Sequence, residues 1–300
     1  MTGTANPGAL APAASGVLRV VTANIEEGGL DPDGTTARWA LTVAALAAWE
    51  PDVVCVQEMA ARRDPHQLRR HLWATANALG MTPVLGPEGG NSGNHTAILV
   101  STGTAVITDD GPPPGTPDPA WCEALLRITA ARADVRFYSV HLPPGSAADQ
   151  RRHAEQLANR IAQRGELAIA CGDWNSWAPA DQITPDILAG MPLHLRPARM
   201  HLLGGELAAS YDVHHTLTAV GLVDAAAGLG PDRRDPPQLK PTGINGGARV
   251  DRFYLTSQLW DCGAVRSYTQ EHGGGSDHEF AMLTIGLDAL TQAQPPQSWH

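Results

Sequence analysis

Two clusters of acid, amide and imidazole side chains stand far apart in this chain. One is Gly172-Asp173-Trp174-Asn175, the other Gly275-Ser276-Asp277-His278. A carboxylate beside an imidazole can bind a metal ion or handle a proton. Asp173 and Asn175 are two residues apart, so past a strand end their side chains can share one face while Trp174 takes the other. Polar groups also stop other apolar runs: Asn24, Glu58, His141 and Asp251. Taken singly, each has an ordinary explanation as a turn former, a cap or a satisfied loop residue. Six such placements in one chain are harder to assign to coincidence.

The elements that would carry these groups are legible from hydrophobic pattern. Val17 to Ile25, Val53 to Val56, Met81 to Leu85, His95 to Ser101 and Thr104 to Thr108 read as strands. So do Leu125 to Ala130, Val135 to His141, Leu167 to Cys171, Arg249 to Leu255, Gly263 to Tyr268 and Phe280 to Ile285. Helical spacing appears from Thr35 to Trp49, Pro65 to Leu79, Ser146 to Gln163 and Asp212 to Val220. The stretch from Pro179 to Leu207 reads as irregular helix and loop, and Pro231 to Gly247 as a long loop of the kind that often serves function. Strands and helices mix without strict alternation, which favours α+β packing with layered sheets.

Composition places the chain among globular proteins, with 43% apolar and 17% charged residues in a length of 300. We divide it into a disordered lead over residues 1–16, one domain over 17–288 and a frayed tail over 289–300. No apolar run reaches the ~20 residues that span a bilayer, and the lead lacks a basic n-region, so a cytoplasmic location is the expectation. Cys55, Cys122, Cys171 and Cys262 include no C-x-x-C pair and read as reduced thiols, Cys55 and Cys171 in apolar runs. The formal net charge of −10 argues against tight non-specific binding of duplex nucleic acid. Arg62, Arg63, Arg69 and Arg70 read as a solvated helix face or a binding edge.

The ordered set of blocks resembles the metal-dependent endonuclease/exonuclease/phosphatase superfamily. The matching blocks are Thr22-Ala23-Asn24-Ile25, Asp52 to Glu58, Tyr138 to His141, Cys171 to Asn175, Arg249 to Arg252 and Ser276 to His278. The resemblance implies a four-layer α/β/β/α sandwich, two mixed sheets face to face with helices outside. It implies a phosphoester hydrolase using Mg²⁺, or Mn²⁺ in its place, on a nucleic acid, nucleotide or small phosphoester. By that likeness Glu58, Asn24 and Asp277 would hold the metal. Asp173 would activate water, Asn175 and His141 would hold the phosphate, and His278 backed by Asp251 would stabilise developing charge. Trp174 could line the cleft or pack in the core; Glu26 could touch metal. A nuclease or other phosphodiesterase is the first expectation. A phosphomonoesterase on the same site and an inactive binding module are the alternatives, and a monomer is the default.

Overall fold

The strands form where apolar, β-branched runs lack helical spacing, and they pack as two sheets. The structure, a computed structural model, describes residues 16–31, 33, 35–60, 65–89, 94–110, 119–243 and 249–295. The first half of the chain supplies β1 (Val17–Asn24), β2 (Val53–Ala60), β3 (Met81–Gly89), β4 (Asn94–Ser101), β5 (Ala105–Asp110), β6 (Trp121–Ile128) and β7 (Ala133–His141). The second supplies β8 (Ala168–Asp173), β9 (Met200–Leu203), β10 (Glu206–Ala209), β11 (Leu222–Asp224), β12 (Arg234–Asp235), β13 (Asp251–Thr256), β14 (Val265–His272) and β15 (Glu279–Gly286). The helices that matter here are α1 (Ala37–Ala48), α2 (Pro65–Ala78), α3 (Ala147–Arg164), α4 (Pro185–Gly190), α5 (Arg196–Arg199) and α6 (Asp212–Ala219).

One sheet has the order β12-β14-β15-β1-β2-β4-β3 and the other β11-β13-β8-β7-β6-β5. Each is mixed, with a central parallel pair: β1 beside β2, and β7 beside β8. The faces turned towards each other bury Leu18, Val20, Val53 and Cys55 against Phe137, Ile169, Cys171 and Phe253 in one core. The outer faces carry helices. Leu46 of α1 and Leu68 and Leu72 of α2 pack on Val21, Ala23 and Val54, while Leu157 and Ile161 of α3 and Leu217 of α6 pack in the cluster with Tyr138, Val140 and Ala170. Each fully buried Leu or Ile contributes about 1.5–3 kcal/mol. The expected four-layer sandwich is what this chain forms.

α3 shows how local sequence sets these layers. Its apolar residues Ala154, Leu157, Ala158 and Ile161 fall on one face. The Ser146 side chain accepts from the Asp149 N–H, and Gly165 ends the helix at φ 59°.

Two expectations change. The irregular stretch from Pro179 to Leu207 contains a β-hairpin, β9 with β10, as well as α4 and α5. Its turn is Gly204-Gly205, both at positive φ, and its Leu202, Leu203 and Leu207 are exposed, so no buried face marked it in the sequence. The loop from Pro231 contains a 3₁₀ turn and β12, which joins the edge of the first sheet, and residues 244–248 lie outside the described residues. The lead before residue 16, Arg62, Arg63 and residues 296–300 of the tail also lie outside them. Among the described residues no helix is long and apolar enough to cross a membrane.

Candidate active site

The site is the polar end of the inter-sheet core. In β1, Leu18 and Val20 face the core, so by alternation Thr22 and Asn24 do too. The same parity carries Ser139 and His141 up from Val135 and Phe137, Asp173 up from Ile169 and Cys171, and Asp251 from Phe253 and Leu255. Parallel pairing puts the C-terminal ends of β1 and β2, and of β7 and β8, together: Asn24 is level with Gln57, His141 with Asp173. Antiparallel β13 brings Asp251 opposite Asp173. Antiparallel β15 delivers Ser276-Asp277-His278 at its entry, beside the end of β1.

Glu58 departs from strict alternation. Cys55 faces the inter-sheet core, yet Met59, four residues on, belongs to the outer cluster under α2. A register shift between Val56 and Met59 and a left-handed Glu58, φ 57°, reset the parity. The bulge re-aims the Glu58 carboxylate towards Asn24. Glu58 Oε1 accepts from Asn24 Nδ2 at 3.1 Å, and Oε2 accepts from Glu27 N and Asn94 Nδ2, both at 3.2 Å. Glu26 at 46°, Glu27 at 55° and Asn175 at 47° are also non-glycine residues at positive φ. Such strain gathers where surrounding structure holds a functional arrangement in place.

Asp173 is the centre of the cluster and is 2% exposed. Its Oδ2 lies 3.1 Å from Asn24 Nδ2, 3.2 Å from Asn175 Nδ2, 3.7 Å from His141 Nε2 and 3.8 Å from His278 Nε2. Oδ1 accepts from the Asn175 N–H at 2.9 Å. Burial alone would push this carboxyl up, but His278, His141 and the Asn175 N–H outweigh it and hold the acid below its ordinary range. Asp173 is therefore ionised at neutral pH.

His278 Nδ1 lies 2.8 Å from Asp251 Oδ2 and donates to it. Burial lowers the imidazole's proton affinity, yet Asp251, then Asp173 and Asp277, raise it to about 10. Nε2 is 3.9 Å from Asp277 Oδ1. The loop before His278 is tightly turned. Ser276 Oγ donates to Asn24 O at 2.7 Å and accepts from His278 N at 3.1 Å. Arg38 Nε donates to Gly275 O at 2.8 Å and its Nη2 pairs with Glu26 at 2.7 Å, tying the two loops together. A Cβ on Gly275 would stand 2.4 Å from Arg38 O, so glycine is required there.

Asn24, Glu58, His141, Asp173, Asn175, Asp251, Asp277 and His278 thus come together. Trp174 does not join them. It is fully buried, donates to Arg252 O at 3.1 Å and meets Tyr254 edge-on, because it follows the strand's outer parity; Trp177 is equally buried. Neither lines the cleft. Residues without a local signal also take part: Asn94 reaches Glu58 from β4, and Gln150 and Arg199 reach Asn175 from α3 and α5. Beneath them a buried polar bridge crosses the sheets, Thr22 Oγ1 to Gln57 Oε1 at 3.2 Å and Gln57 Nε2 to Ser139 Oγ at 3.0 Å.

The carboxylates of Glu26, Glu58 and Asp277 give this end of the site oxygen donors of the kind a hard divalent cation takes. Burial, Asp277 and Glu58 push the Glu26 carboxyl up against the pull of Arg38, a sign of crowded negative charge. Among the described residues no three His, Cys, Asp or Glu side chains form a ready metal cage. Glu58 and Asp277 suit Mg²⁺, which takes one or two carboxylates and keeps several waters.

Comparison with known proteins identifies the family and the fold. A family model described as Endonuclease/Exonuclease/phosphatase family matches residues 21–278. The AP endonuclease LMAP from Leishmania major superposes with a TM-score of 0.63 at 16% identity, covering 90% of this chain and 88% of that one. An endonuclease/exonuclease/phosphatase family protein from Bacteroides thetaiotaomicron gives 0.60 at 16% identity, covering 90% and 97%. A mannosyl-6-phosphatase from the same organism gives 0.57 at 15%, covering 89% and 98%. These likenesses are of fold. No curated protein matches the chain.

Proposed function

This chain belongs to the endonuclease/exonuclease/phosphatase family of phosphoester hydrolases, and from that premise we propose that it is a divalent-metal-dependent phosphodiesterase. The observation that carries the reading is the setting of Asp173: a buried carboxyl group with His278, His141, Asn24 and Asn175 within 4 Å of one of its oxygens. Asp173 orients a water and takes its proton as the water oxygen attacks phosphorus. The P–O bond to the leaving group breaks, and that oxygen accepts a proton from a donor such as His141. The His278 imidazolium, held by Asp251, neutralises charge that develops on the phosphate oxygens. Mg²⁺ on Glu58 and Asp277 would add Lewis-acid polarisation of the phosphoryl group.

The net charge of −10 disfavours a long polyanion and favours a compact diester or single nucleotide unit. The same charge leaves a small-molecule phosphomonoesterase as the second reading. Turnover of bis-p-nitrophenyl phosphate against p-nitrophenyl phosphate, each with Mg²⁺, Mn²⁺ or EDTA, separates them. Metal-dependent preference for the diester supports the proposal. Preference for the monoester selects the second reading, and turnover undiminished by EDTA removes the metal from the account.

A further inference from the structure

The described residues place a buried arginine directly behind Asn175. Arg199 ends α5, just before the β9–β10 hairpin, and is 3% exposed. Its Nε donates to the Asn175 carbonyl at 3.2 Å and its Nη2 to Asn175 Oδ1 at 3.0 Å. Gln150, 1% exposed on α3, donates to the same carbonyl at 2.9 Å. With its oxygen claimed by the guanidinium, the amide must turn its nitrogen the other way. Nδ2 indeed donates to Leu142 O at 2.9 Å and to Asp173 Oδ2 at 3.2 Å. The fork therefore determines which end of the amide faces Asp173.

The arginine is itself held firmly. Its carbonyl accepts from Ser210 N at 2.8 Å, closing the base of the hairpin. Met200, the next residue, is buried with Trp177 and Val250. Asn175 sits at φ 47°, a conformation that needs support from its surroundings, and two side chains from different helices supply it.

We propose that Arg199 is a positioning residue of the hydrolytic centre: its guanidinium fixes the orientation of the Asn175 amide and, through it, the carboxylate of Asp173. The inference rests on reading Asp173 as the water-activating group. Arg199 contacts the Asn175 carbonyl and amide oxygen, and its charge adds to the groups that hold the Asp173 carboxyl down. Lysine at this position keeps the charge but lacks the planar fork that grips carbonyl and amide oxygen together.

The test compares Arg199→Met and Arg199→Lys, alone and combined with Asn175→Ala. The first readout is the Asn175 side-chain amide resonance in ¹H–¹⁵N spectra, which needs neither substrate nor metal. The second is kcat and KM for bis-p-nitrophenyl phosphate with Mg²⁺. Misplacing a reacting group by about 1 Å costs about 100-fold in rate, so kcat should fall about that far with KM within about threefold. Both variants should move the Asn175 amide resonance, and neither should add to the loss caused by Asn175→Ala. Should Arg199→Met fail to fold, Arg199→Lys, which retains the stem and charge, gives the same comparison. An unmoved resonance, or losses that multiply in the double variant, overturns the proposal. A wild-type protein inactive on every phosphoester would refute the proposed reaction, while the resonance would still decide whether Arg199 sets the amide.

Discussion

His278 and Asp251 are joined by a 2.8 Å contact between Nδ1 and Oδ2, which links the first residue of β13 to the residue just before β15 in the opposite sheet. It directs the other ring nitrogen towards Asp173, 3.8 Å away. The pair fixes both the charge and the aim of the imidazole.

Asp251→Asn keeps the shape of that contact and removes its charge. We expect kcat on a diester to fall about 10²–10⁴-fold, the range for a general acid–base or charge-stabilising group. Steady-state kinetics at pH 7 with a circular dichroism check of fold measures this. A kcat within twofold of wild type would mean that the pair is only structural.

Glu58→Gln tests the metal reading without relying on turnover. If Glu58 is the principal ligand, saturating Mg²⁺ raises the melting temperature of the wild type and leaves that of the variant unchanged, because binding only to the native state stabilises it by mass action. An equal rise in both proteins would move the metal away from Glu58.

Gly172 precedes Asp173 at φ 153°, and a Cβ there would stand 1.9 Å from Val140 O. β7 and β8 would have to separate at the level of the site. Gly172→Ala should therefore destabilise the protein by more than about 3 kcal/mol, beyond the usual range for single changes. Denaturant unfolding of wild type and variant reads the difference. A variant of unchanged stability would show that the strands approach less closely.

Asp224 supports the second sheet through Arg249, at 3.1 Å and 2.6 Å between paired atoms. Burial pushes its carboxyl up, but Arg249 more than offsets that and holds it below the ordinary range. A depressed folded-state pKa means that the contribution is present above the unfolded value of about 3.9 and is lost as pH falls through the folded one. Arg249 also keeps Asp181 at 3.0 Å, so Asp224→Asn should cost about 1–3 kcal/mol at pH 7, a difference that begins to shrink as pH falls below the unfolded-state value of about 3.9. Urea unfolding at pH 7 and at pH 3 checks this. A gap of equal size at both values would assign the loss to packing.

How far the sequence disclosed the site depended on how each residue reaches it. Asn24, His141, Asp173 and Asp251 extend core-facing rows of regular strands, so alternation and an abrupt apolar stop revealed them. Glu58 could be identified as a strand-end acid, but its direction depends on a bulge that no period-2 reading contains. Trp174 sat beside the chemistry in sequence and on the opposite face in space. Asn94, Gln150 and Arg199 were invisible because their partners lie 36, 25 and 24 residues away. The β9–β10 hairpin was missed for a similar reason: its two-glycine turn is a hairpin signal, but no buried alternation frames it.

In the proposed reaction Asp173 activates water at a phosphoester. Asp173→Asn retains size and one acceptor oxygen, puts an NH₂ donor in place of the other, and removes the base. With Mg²⁺ and bis-p-nitrophenyl phosphate, single-turnover hydrolysis by this variant should fall by about 10²–10⁴-fold while its folded spectrum stays that of the wild type. Hydrolysis at the wild-type rate would mean that the carboxylate at the centre of the cluster has no part in the reaction.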